Sequence, residues 1–139
     1  MSWLRARRPV LVLAALWLML YRDRTGLVRI GLLAALLHET GHVLAWLLLT
    51  RRWPVLRLSL RGIGLDTSCA HLSRRQVFWL ACAGPAANFA LCGAALAKMQ
   101  WQASYWGYFF AAANLVTGLF NLLPLGDLDG RRMLQSLLP

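Results

Sequence analysis

The sequence predicts an all-α membrane protein, a bundle of about four transmembrane helices with one short β segment and one unwound stretch. Three observations predict it. Of its 139 residues, 59% are hydrophobic and 14% charged, with a mean hydropathy of +0.53, whereas ordinary globular chains are roughly a quarter charged. Several apolar runs approach the ~20 residues that cross a ~30 Å hydrocarbon layer. The few ionisable groups inside those runs stand at metal-ligand spacing. The length fits a single domain, 1–139.

Composition also excludes classes. The acidic side chains are Asp23, Glu39, Asp66, Asp127 and Asp129, against 15 Lys and Arg, for a formal net charge of +10. That charge is spread over loops and forms no basic domain, so it points to anionic lipid headgroups and away from nucleic acid. Cys69, Cys82 and Cys92 are odd in number and lack a CxxC pair, which excludes a disulfide scaffold.

The first expected span, about 8–22, has an apolar core at Val10–Tyr21 whose flanking arginines can snorkel. It leads into YRDRTG rather than a small-residue cleavage site, so a retained helix is expected and not a signal peptide. The others are about 27–49, 77–97 and 106–123. Trp53 and Trp79 mark one interface, and Trp101, Tyr105 and Trp106 another. With the N-terminus inside, only Arg22, Arg24, Arg29 and Lys98 fall outside, so positive charge predicts a multi-pass protein with both termini cytoplasmic.

Between the second and third spans, at about 54–64, Leu56, Leu58 and Leu60 alternate with Arg57, Ser59 and Arg61. A period of two is that of a half-buried strand. Gly62 and Gly64 would allow a tight return.

The second span contains His38-Glu39-Thr40-Gly41-His42. A charged group at mid-membrane costs roughly 2.5–3.5 kcal/mol on insertion scales, so it needs a partner or a purpose. Positions i and i+4 share a helix face, which lets His38 and His42 grip one ion, while Glu39 reaches a water beside it. This is the HExxH arrangement of zinc hydrolases. A catalytic zinc takes three protein ligands and keeps one open position. The third ligand should come from Asn121 to Gly130, where Pro124 interrupts the fourth helix and either Asp127 or Asp129 has the required chemistry. His71, beside Cys69, reads as incidental. In the third span, the small residues around Ala83-Gly84-Pro85-Ala86-Ala87-Asn88 read as a packing face with a proline kink. Asn88 is its polar exception.

With HETGH at 38–42, AGPAAN at 83–88 and FNLLPLGDLDG at 120–130 in this order, the chain resembles the site-2 proteases, intramembrane zinc metalloproteases. Within them it resembles compact bacterial members similar to stage IV sporulation protein FB. The resemblance implies one Zn2+ per chain held by His38, His42 and Asp129, with Glu39 as general base. It implies that Asn121 and Asn88 position substrate or steady the site, and that an unwound substrate pairs along Leu56, Arg57, Leu58, Ser59, Leu60 and Arg61. Family members often carry proline where Asp127 stands. No PDZ or CBS domain is expected.

The implied activity is an endopeptidase of the bacterial cell membrane. It would cut a membrane-associated regulatory protein, of the anti-sigma or pro-sigma factor type, near the cytoplasmic boundary. His42 stands about 10 Å of helix rise before Leu49, so the site should lie below that surface. The partners expected are the lipid bilayer, the substrate and a regulatory membrane protein. The competing reading is a catalytically inactive scaffold in which metal or a polar network only staples the bundle.

Overall fold

The computed structural model describes residues 3–59, 62–66 and 72–138. Its elements run α1 (Trp3–Arg22), α2 (Leu27–Thr50), β1 (Val55–Ser59), β2 (Gly62–Asp66), α3 (Arg74–Met99), α4 (Tyr105–Asn121) and α5 (Asp129–Leu137). Helix α3 is the hub, packing against α4, α2 and α5, while α1 touches α2 only along a short stretch.

Local chemistry sets the boundaries. Helix α2 begins after a turn built on Asp23, whose Oδ2 accepts from Arg29 N–H at 3.0 Å and whose Oδ1 accepts from the Thr25 hydroxyl at 3.2 Å. Burial would raise this carboxyl, but donors led by the Arg29 and Val28 backbone N–H groups outweigh it and hold it below its usual value. Helix α3 starts three residues before the expected 77 because Ser73 and Gln76 form a capping box: Ser73 Oγ accepts from Gln76 N–H, and Gln76 Oε1 accepts from Ser73 N–H. Helix α3 stays continuous through Pro85. Helix α4 ends at Asn121, earlier than 123, because Pro124 pushes the residue before it out of helical backbone.

Among the described residues, two helices, Leu27–Thr50 and Arg74–Met99, are long and apolar enough to cross a membrane. Helix α4, at 17 residues, rises about 25 Å. The described side chains are arranged inside out. Leu48 is 82% exposed and Trp101 85%, with Leu36, Trp79 and Phe120 also outward, while Asn88 and Asn114 are the largest fully buried side chains. Water would penalise such apolar exposure, whereas lipid is the solvent that accepts it. The chain is therefore built as a membrane protein. Thr40, outward-facing, satisfies its hydroxyl on its own helix at Leu36 O, 2.8 Å away.

The alternation at 55–59 falls on β1, which pairs antiparallel with β2 in the register Val55 to Asp66 through Ser59 to Gly62. Gly62 and Gly64 are thus paired strand residues and not the turn that their glycine spacing suggested. Leu60, Arg61, Cys69 and His71 lie outside the described residues.

Candidate metal centre

The i,i+4 spacing of the sequence is realised on the inward face of α2, where His38 and His42 are both buried. Helix α3 closes over them. Gly41 faces its backbone, and a Cβ there would come within 2.7 Å of the Ala83 carbonyl oxygen, so glycine sets the α2–α3 distance.

The third group arrives from the unwound segment. Residues 122–128 form turns, with Gly126 at φ +53, and α5 starts at the buried Asp129. A Cβ on Gly130 would fall on the Leu122 carbonyl. The bare backbone at Gly130 therefore lets α5 tuck beneath the end of α4 and carry Asp129 inward.

His38 Nε2 lies 2.9 Å and His42 Nε2 3.1 Å from Asp129 Oδ2, and the two Nε2 atoms are 3.1 Å apart. Among the described residues, His38, His42 and Asp129 form a group able to hold a metal ion. Asp127 is exposed and is not in that group. Arg132 reaches the other oxygen of Asp129, Oδ1, at 3.9 Å.

The partners of the outer nitrogens decide what the inner ones offer. His42 Nδ1 is 2.8 Å from Leu80 O, a carbonyl that can only accept, so this nitrogen carries the hydrogen. His38 Nδ1 is 2.6 Å from Asn88 Oδ1. The Asn88 amide is oriented by its other end, where Nδ2 donates to Ala34 O at 3.1 Å and Asn114 Oδ1 at 2.8 Å. Its Oδ1 accepts, and His38 Nδ1 donates. As neutral rings, both imidazoles present lone pairs at Nε2, so that three electron-rich atoms converge within 3.1 Å. Such a set repels itself unless a cation lies among them. Zinc ligands about 2.0–2.1 Å from a tetrahedral ion stand about 3.3 Å apart, close to the spacing here, and outer hydrogen bonds of this kind orient metal-bound histidines. The residues fit zinc.

Glu39 is half-buried on α2, within electrostatic reach of His42, His38 and Asp129.

Asn88 is fully buried with both ends of its amide engaged, one of them on His38 Nδ1, so it steadies that ring. Asn121 Nδ2 donates to Thr117 O, 2.9 Å away on its own helix. Sequence reasoning missed two further residues. Gly84 presses bare backbone against the imidazoles: a Cβ there would lie 2.6 Å from His38 Nε2 and closer still to His42 Nε2. Asn114 completes the amide network; a polar residue in an apolar span was the available signal.

Replacing Asp129 by Asn removes the one anionic member of the cluster. Zinc affinity should then fall by more than the roughly 10–100-fold typical of losing an outer-shell partner, measured by competition with a chelator. Undiminished zinc would shift the third-ligand role to another group.

The fold and cluster together define a class: a membrane-embedded helical bundle with a His-His-Asp cluster within its helices. A solved structure of that fold is the Site-2 Protease from Methanocaldococcus jannaschii, with a TM-score of 0.66 and 22% sequence identity over 91% of this chain and 62% of that one. The chain thus spans about 62% of the length of that protein. No family model matches the chain, and no curated protein matches it in sequence.

Proposed function

We propose that the protein is an intramembrane zinc endopeptidase of the site-2 protease type. The observation that carries this reading is the convergence of His38 Nε2, His42 Nε2 and Asp129 Oδ2 while both Nδ1 atoms are committed to outer acceptors. A purely structural polar network would pair donors with acceptors. With both rings neutral, this one gathers three acceptors, which a cation would satisfy.

His38, His42 and Asp129 would hold the ion, which supplies Lewis acidity toward a peptide carbonyl and toward water. Glu39 takes the proton from the attacking water and passes it to the amine nitrogen as the C–N bond breaks. Asn88 and the Leu80 carbonyl hold the imidazoles so that Nε2 faces inward. Gly84 gives the reacting groups a smooth wall. The β1–β2 hairpin offers a strand edge on which an extended segment can pair, and a substrate must unwind to do so because helical carbonyls are already bonded.

In the topology we infer, α1 to α4 all cross the bilayer and both termini are cytoplasmic. His42 then lies about 12 Å of helix rise from the end of α2 at Thr50. Cleavage falls near the cytoplasmic boundary of a membrane-associated regulatory protein, of the anti-sigma or pro-sigma type, in the manner of compact relatives similar to stage IV sporulation protein FB.

The test is purification in detergent with zinc quantified, followed by assay on single-span peptides that carry helix breakers at one membrane boundary. About one zinc per chain is expected, with cleavage stopped by chelator and restored by zinc. Protein that retains no zinc and shows no chelator-sensitive cleavage would remove the reading.

A further inference from the structure

We propose that Asn114 is a positioning residue for the metal centre: by accepting from Asn88 Nδ2 it fixes the Asn88 amide, which in turn fixes His38 with Nε2 facing the ion. This inference rests on reading the cluster as a metal site, and it concerns how that site is kept in order. Asn114 touches neither the cluster nor any reacting group.

Asn88 and Asn114 are both 0% exposed, where an unpaired amide is costly. They are fully employed in one direction only. Asn114 Nδ2 donates to Phe110 O at 2.9 Å, one turn back on α4, which turns its Oδ1 toward α3. That oxygen accepts from Asn88 Nδ2 at 2.8 Å, and the same Nδ2 donates to Ala34 O at 3.1 Å. Asn88 Oδ1 is left to accept from His38 Nδ1 at 2.6 Å.

An amide can flip, exchanging oxygen for nitrogen. Flipped, Asn88 would set its oxygen against two acceptors, Ala34 O and Asn114 Oδ1, and offer N–H groups to His38 Nδ1. His38 would then have to accept at Nδ1 and carry its hydrogen on Nε2, where no metal can bind. Two acceptors oppose the flip, and Asn114 is the one supplied by a side chain. The chain of contacts runs α4 to α3 to α2, so one helix that gives no ligand governs the ligand of another.

Asn114→Leu removes the acceptor while keeping the branched outline of the side chain. Zinc affinity, from chelator competition in detergent, should fall about 10–100-fold, the range for outer-shell losses. The specific signature is read on the Co(II)-substituted protein. The Nδ1–H of each coordinated imidazole gives a hyperfine-shifted, exchangeable proton resonance. In Asn114→Leu the His38 resonance should exchange rapidly with solvent, while that of His42, bonded to Leu80 O, should not change. Asn114→Asp keeps an oxygen facing Asn88 and should recover affinity to within a few-fold. If the leucine variant does not fold, Asn114→Ser, too short to reach Asn88, replaces it with the same expected loss.

Wild-type affinity in the variant lacking the acceptor overturns the proposal. So does equal perturbation of both histidine resonances with no recovery by Asp, which would mark a packing role. Failure of the protease reading looks different: zinc-loaded protein that cleaves nothing, with these metal readouts unaffected.

Discussion

Glu39→Gln should retain wild-type zinc and lose cleavage almost entirely. The substitution keeps the size of the side chain and removes only its ability to take a proton. His38, His42 and Asp129 remain, with their outer hydrogen bonds to Asn88 and Leu80, so elemental analysis should show unchanged metal. General acid–base groups contribute about 10²–10⁴-fold, and Glu39 serves twice in one cycle, so the rate on a cleavable peptide should drop toward the top of that range. Full activity would remove Glu39 from the role of base, whereas wild-type protein that cleaves nothing would leave the scaffold in which the ion only staples the helices.

Gly84→Ala should do the reverse, emptying the site while the bundle stays folded. The added methyl would meet His38 Nε2 at 2.6 Å, His38 Cε1 at 2.7 Å and His42 Nε2 at a closer distance, all inside van der Waals contact. Both rings are pinned at Nδ1, His38 to Asn88 and His42 to Leu80 O, so they cannot retreat without breaking those bonds. Overpacking of this kind costs about 1–3 kcal/mol, which a melting curve in detergent would register as a modest shift. Displacing two ligands together should weaken zinc by about 100-fold or more, beyond the loss from one outer partner. A Gly84→Ala protein that binds zinc normally would show that the α2–α3 spacing is looser than described.

Much of this site was legible because its chemistry is local. The helical repeat alone places His38 and His42 on one face, and the apolar length of the surrounding run marks α2. Asp129 was less legible. Spacing allowed Asp127 equally, and the choice depends on Gly130 nesting against Leu122, a tertiary contact that no periodicity encodes; family resemblance supplied it instead. Gly84 sat within a run of small residues whose ordinary meaning is helix packing, and the same lack of a side chain serves both purposes. The Leu80 carbonyl could not be found at all, since every residue has one. At β2, Ile63 and Leu65 alternate with Gly62 and Gly64, but the glycines read as a turn signal and masked the strand.

The outer hydrogen bonds make the two halves of the site mechanically unequal. The imidazoles belong to a stiff jaw, clamped to α3 from behind. The aspartate is mounted on a short helix after a glycine-bearing bend, with its second oxygen turned toward the half-exposed Arg132. Ions of somewhat different radius would be taken up by travel of the carboxylate alone. Loading and release of the ion should therefore proceed from the Asp129 side, leaving the histidine geometry set whether the jaw is open or shut.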